Sequence, residues 1–234
     1  SRSMHGSWGQ TRTLVYDDVE AIRREVGTVK AVSPRVYTHI QIVYGNQNWR
    51  SRISGVEPVY FHIKDWPMML GTVFTDEDVE LANNVVVIGT QVRDILFGEE
   101  ESIGKTVRIK NLPFRVVGVA EHKGPSAEGY PQDDAVYMPW TTAQKKVTGY
   151  TWLNSIQVQA VSAEATALAQ KQIEELLRER HRIPPEAEDD FSVRNTADIA
   201  ELHEEAGRVM TMLLGAIASV SLLVGGIGIM NIML

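Results

Sequence analysis

The chain has 234 residues, with 30 acidic against 23 basic side chains and a formal net charge of −7. Without a Lys/Arg cluster that balance excludes a nucleic-acid face, and zero cysteines exclude a disulfide framework, a thiolate metal site and a cysteine nucleophile. The length suits one large domain or two small ones plus a further segment. Residues 1–13 lack the apolar core of a signal peptide and read as a polar linker or expression remnant. Asp17 or Asp18 then caps a predicted helix whose Val19, Ile22 and Val26 share one face, with Gly27 ending it. Val29 to Tyr44 alternates as a strand does. A turn at Gly45-Asn46-Gln47-Asn48 and a return from Trp49 to Val56 complete a long hairpin.

Glu57-Pro58 marks a change of texture. Thr75 and Asp78 form a capping box for a short acidic helix to Leu81, and the apolar run Val85 to Ile88 predicts a strand buried on both faces. Thr90 to Phe97 is predicted helical, stopped by Gly98. Lys105 to Lys110 and Phe114 to Ala120 alternate around Asn111-Leu112-Pro113 as a second hairpin. The long loop Glu121 to Asp134 predicts a mobile or contact-making element. Ala135 to Met138 reads as a strand, Thr141 to Val147 as a helix, and Ser155 to Val161 as a strand. Ala163 to Arg180 is the next helix, with Ala169, Ile173, Leu176 and Leu177 on one face. Pro184-Pro185 ends it, and Phe191 to Asn195 predicts a last strand.

Thr196 to Leu234 reads as one helix, roughly 55–60 Å long at 1.5 Å per residue. Its first part, 196–209, is a stalk with Ile199, Leu202, Ala206 and Val209 in helical phase. Met210 to Leu234 carries no charged side chain, which is the signature of a transmembrane helix of about 20 apolar residues. The competing reading is a buried core helix. Gly215-x-x-x-Ser219 and Ser221-x-x-x-Gly225 fit the small-xxx-small pattern, and with Gly226 and Gly228 they are the predicted helix-packing positions. The run stops at Leu234 with no polar flank, as a fragment of a longer membrane protein would. The expected class is α+β: a split α/β domain of residues 14–58 and 150–195, interrupted by a smaller mixed α/β domain at 59–149, then the stalk 196–209 and a truncated transmembrane helix 210–234.

Catalytic motifs do not survive inspection. Gly98 and Gly104-Lys105-Thr106 resemble a phosphate loop, but five residues separate the glycines where four are required, and a helix precedes where a strand should. The acidic group Asp76, Glu77, Asp78 and Glu80 suits a helix dipole and lacks calcium-loop spacing. His5, His39, His62, His122, His181 and His203 show no zinc-ligand pairing. Asp133-Asp134 and Asp189-Asp190 are expected to face water rather than to form acid/base pairs. No enzyme, metal or cofactor site is expected in this chain.

The run from Leu213 to Leu234 resembles the second transmembrane helix of MacB-type ABC transporter permeases. Further pieces are similar in the same order: 17–22, 31–34, 43–46, 86–89, 103–109, 114–119 and 189–195, covering nearly everything after Thr13. The resemblance implies the extracytoplasmic core domain between the first two transmembrane helices, with the split domain porter-like and carrying a more variable insert. It implies an inner-membrane location with the globular part on the periplasmic side. It also implies coupling to ATP hydrolysis, with ATP and magnesium held by a separate nucleotide-binding domain, and export of a drug, peptide or lipoprotein. The implied partners are that ATPase, a second permease copy and, in members with an outer membrane, an adaptor protein and an outer-membrane channel. Two other classes stay open: a cytosolic binding protein with a C-terminal tail anchor, and a ligand-binding module docking through its apolar helix. Only Arg194 and Arg208 lie just before the apolar run, which favours an outside location for the globular part.

Overall fold

The computed structural model describes residues 12–126, 129–195 and 209–221, which fall into two units, 1–193 and 194–234. In the first unit the elements begin with α1 (Tyr16–Glu25), β1 (Val29–Tyr44), β2 (Gln47–Val56), α2 (Val59–Ile63), β3 (Met68–Gly71) and α3 (Asp76–Glu80). They continue with β4 (Val85–Ile88), α4 (Thr90–Leu96), β5 (Thr106–Ile109), β6 (Leu112–Ala120) and β7 (Ala135–Pro139). The short α5 (Trp140–Thr142) runs into a π-helical turn, Ala143–Thr148, before β8 (Ser155–Ala160) and α6 (Thr166–Arg180).

The long hairpin pairs from Val36 with Gly55 out to Tyr44 with Gln47. Its turn is Gly45-Asn46 alone, two residues shorter than expected, because Gly45 adopts φ +53° at the first loop position, where a tight hairpin needs glycine. From β2 the pairing runs in parallel to β7, antiparallel to β4, in parallel to β6 and antiparallel to β5. Strand β5 then returns to β1 at Ile42 and Val43. Six strands thus close on themselves into a ring, to which β3 adds beside β6 and β8 beside the first half of β1. Alternate residues point inward: Ile42, Ile53, Val86, Ile88, Phe114 and Met138 are all buried in one apolar cluster. Ala143 and Val147 of the π-helical turn and Leu96 and Phe97 at the end of α4 join it.

The β5–β6 turn falls on Lys110 and Asn111, with φ 54° and 64°, rather than on the predicted 111–113. Two successive left-handed residues make one of the two turn types whose twist matches that of the strands, and Asn tolerates that region. On the outer face of the barrel a second cluster gathers Tyr60 and Phe61 of α2 with Trp66, Phe74, Val87 and Tyr137. The α3 cap is present in full: Asp78 N donates to Thr75 Oγ1 (3.2 Å) and Thr75 N to Asp78 Oδ2 (2.8 Å).

The remaining body is smaller. The first half of β1 pairs antiparallel with β8, from Val29–Ala160 to Arg35–Ser155, and α1 and α6 cover it. Val19, Ile22, Val26, Val32, Ile173 and Leu177 form its core. Phe191–Asn195 is not the predicted strand. Phe191 and Val193 lie partly buried on this core, and Val193 O accepts from Gln170 Nε2 of α6 (3.3 Å), so a side chain replaces the ladder partner. The barrel draws on both sides of the division expected at Pro58, since β1 and β2 precede it and the other four strands follow.

Candidate functional site

In the second unit, residues 209–221 are helical and exposed along their whole length. Val209, the last predicted stalk position, opens this stretch. Ser219 Oγ donates to Gly215 O (2.8 Å), so this pair lies on one helix stripe and the hydroxyl is satisfied within its own helix. A Cβ added at Gly215 would meet nothing within 4 Å, leaving that flank open to a neighbour. Ser221 ends the described helix. Among the described residues no helix is long and apolar enough to cross a membrane. Ile199, Leu202, Ala206, Gly225, Gly226 and Gly228 lie outside the described residues.

Within the first unit, the segments on either side of the body meet. Thr13 Oγ1 donates to Asp190 O across 177 positions of sequence (3.4 Å). Beside this point Asp18, 1% exposed, holds three donors: Val15 N (3.0 Å), Arg180 Nε (2.8 Å) and His181 Nε2 (3.2 Å). Val15, not an aspartate, is the N-cap of α1, and Asp18 supplies the return half of a capping box from the third helical position. The other ring nitrogen of His181 faces the Asp190 carboxylate (2.9 Å), and its ring meets Phe191 edge-on at 5.8 Å. Arg178 pairs with Asp189 and donates to Pro184 O (2.8 Å), clamping the segment that leaves α6.

Burial alone would raise the Asp18 carboxyl. The Val15 N–H, Arg180 and His181 outweigh it and hold the group below its ordinary range. For His181 burial works downward, and the hydrogen bonds to Asp190 and Asp18 outweigh it, so the imidazole stays protonated to higher pH than usual. A separate polar link joins the body to the barrel. Glu57, just past β2, accepts from Tyr16 Oη (2.9 Å) and Arg23 Nη2 (2.7 Å) of α1. Tyr16 stacks on Trp140 of α5 at 4.2 Å.

The paired aspartates do not simply face water. Asp133 is buried and accepts from the backbone N–H groups of Lys123 (2.9 Å) and Gly124 (2.8 Å), and Asp134 accepts from the Trp49 indole (2.8 Å). Asp189 and Asp190 are clamp residues. No local spacing rule marks these roles, because each partner is distant in sequence or is backbone. Lys105 pairs with Glu100 (3.2 Å) where the chain turns into β5, so a strand follows Gly104-Lys105-Thr106 where a phosphate loop needs a helix. Among the described residues no His, Asp and Glu group is arranged to hold a metal ion.

Residues 1–176 match the family model described as the MacB-like periplasmic core domain. The chain belongs to that family. Among relatives of the MacB-like domain, a macrolide export ATP-binding/permease protein MacB from Chlorobium luteolum is 41% identical over 97% of this chain and 34% of its own length. Another from Rhodospirillum rubrum is 39% identical over 97% of the chain and 34% of its length. The chain thus spans about a third of the curated relatives it matches. The periplasmic region of MacB from Actinobacillus actinomycetemcomitans superposes with TM-score 0.69 at 26% identity, covering 82% of this chain and 83% of that one. The extracellular domain of the noncanonic ABC-type transporter YknZ from Gram-positive bacteria shares the fold, with TM-score 0.66 at 21% identity over 79% of this chain and 90% of that one. The mixed α/β architecture is therefore that of MacB-like periplasmic domains. The clamp residues Asp18 and Asp190 both lie in pieces, 17–22 and 189–195, on which the sequence resemblance rests.

Proposed function

We propose that this MacB-like domain is the extracytoplasmic part of an inner-membrane exporter permease, coupling cytoplasmic ATP hydrolysis to movement outside the membrane. The observation that carries this reading is the family match over residues 1–176 followed by an uncharged apolar stretch from Met210 to Leu234. The proposed partners are an ABC ATPase domain that binds ATP and magnesium, a second permease copy packed through Gly215, Ser219, Ser221, Gly225, Gly226 and Gly228, and an adaptor with its outer-membrane channel. The transported molecule belongs to the class of drugs, peptides or lipoproteins; relatives carry names of macrolide and pyoverdine exporters.

In this scheme residues 196–209 are a stalk through Ile199, Leu202, Ala206 and Val209. Sharp helix bends need a proline, a glycine pair or a bulge, and between Ile199 and Met212 the sequence has no proline and one glycine, Gly207. Displacement at the membrane is passed to the clamp around Asp190 and His181 and thence through α1, Tyr16 and Glu57 to the barrel. The catalytic work is done elsewhere, so loosening the stalk uncouples rather than inactivates. In the complete transporter, replacing Ala206-Gly207 by Gly-Pro should abolish export while leaving basal ATP hydrolysis largely intact, measured side by side on the same membranes. Export that survives at normal expression would sink the rigid-stalk reading.

A further inference from the structure

Strand alternation sets one group of polar side chains apart on the outer face of the barrel. Tyr37 of β1, Ser54 of β2 and Tyr137 of β7 lie opposite one another in register, with Arg35 and Arg52 two residues from this row on β1 and β2. Arg52 is only 9% exposed. Its Nη2 donates to Pro131 O (3.4 Å) and its guanidinium lies 5.6 Å over the Tyr130 ring, but its buried Nε has no acceptor. Arg35 lies 5.4 Å over Tyr37 and 6.0 Å over Tyr60, and its buried Nε has no acceptor either. Ser54, 0% exposed, has an unpartnered hydroxyl between them.

A buried cation in an acidic chain ordinarily finds a carboxylate. Among the described residues neither arginine has one in ion-pair reach. Of the described carboxylates in the neighbouring loop, Asp133 accepts from the N–H groups of Lys123 and Gly124 and Asp134 from Trp49. Arg35 and Arg52 flank the Tyr37–Ser54–Tyr137 row from opposite sides, because β1 and β2 are antiparallel. Burial raises the Tyr137 hydroxyl strongly, and both guanidinium charges pull against it. Around them stand exposed Tyr130 and partly buried Tyr37, whose rings present flat apolar surface beside planar donors.

We propose that Arg35, Arg52, Ser54 and Tyr137 form a binding site for a small organic oxyanion, a carboxylate or phosphate borne on a flat apolar body. Guanidinium forks match both oxyanions through paired N–H donors. The unpartnered Nε groups and the Ser54 hydroxyl supply donors that nothing in the described chain uses, and Tyr130 gives the apolar body a ring to lie on. The inference is independent of the permease reading, because it needs only the first unit.

The test uses the full chain in a nonionic detergent, titrated calorimetrically with phenyl phosphate, benzoate and inorganic phosphate. Saturable binding of phenyl phosphate or benzoate is expected, and the tighter of the two identifies the oxyanion. Inorganic phosphate should bind about tenfold more weakly than phenyl phosphate, and R52Q and R35Q should each weaken the organic ligand at least about tenfold. Tyr130→Ala should bring phenyl phosphate down towards inorganic phosphate. Circular dichroism verifies that each variant is folded. If Arg52→Gln does not fold, the half-buried Arg35→Gln decides alone: weakened binding supports the site and wild-type binding overturns it. No saturable binding of either organic anion, or inorganic phosphate bound as tightly as phenyl phosphate, overturns the proposal.

Discussion

The barrel and the body of this domain are stabilised by different means. In the barrel, β4 is buried at all four residues, β7 at all five, and six strands close into a ring. In the body every residue of β8 is only partly buried, and cohesion at its base depends on Asp18, Arg180, His181 and Asp190. Strand β1 belongs to both, pairing with β8 in its first half and with β2 and β5 in its second. Apolar burial is indifferent to pH, whereas a charged network is not. A protein divided in this way has one part that keeps its shape and another whose internal contacts can be retuned.

Four substitutions bear on this contrast. Phe114→Ala empties the centre of the barrel, where Phe114 is fully buried, and should cost about 4 kcal/mol, read from urea unfolding. That loss should be nearly the same at acid and alkaline pH, and a strongly pH-dependent loss would break the distinction. Asp18→Ala removes the hub of the body's network and leaves Arg180 and His181 without their shared carboxylate, for a loss of roughly 3 kcal/mol near neutrality.

The Asp18 loss should depend on pH, with the sign fixed by the shifts. The Asp18 contribution is present above its ordinary value of 3.8 and is lost as pH falls through its lowered folded value. The His181 contribution is complete below its ordinary 6.5 and is lost as pH rises through its raised folded value. The network is strongest between these limits. The melting temperature of the domain should therefore fall as pH rises from about 6 to about 9, and His181→Gln should flatten that slope. The smallest effect tests a cap at the barrel's rim: Thr75→Ala should cost about 1 kcal/mol, with no pH dependence beyond that of Asp78.

Elements with short-range causes were legible in the sequence. The hairpin, the Thr75/Asp78 box, the doubly buried β4 and the apolar face of α6 all follow from periodicity or capping chemistry within a few residues. What escaped was non-local. Nothing near Ile53 announces that β2 will pair in parallel with a strand some eighty positions later, so closure of the barrel was not readable. The strand expected at Phe191–Asn195 has the right composition, but Gln170 and the clamp around Asp190 take up its polar groups instead. The π-helical turn at Ala143–Thr148 looks in sequence like an ordinary helix. Of the expected helix-packing positions, Gly215 and Ser219 share one stripe of the described helix, as their four-residue spacing requires. The clamp was not, because Asp18 and His181 are separated by 163 positions.

The contact between Thr13 and Asp190 gives the domain the topology of a pendant: the polypeptide arrives and departs through one small patch, with everything between them forming a closed excursion. Segments so close together suit insertion into a host loop, which needs only a short gap to bridge. An evolutionary consequence follows. The globular portion can be exchanged, enlarged or transplanted between host loops without changing the separation of the segments that flank it.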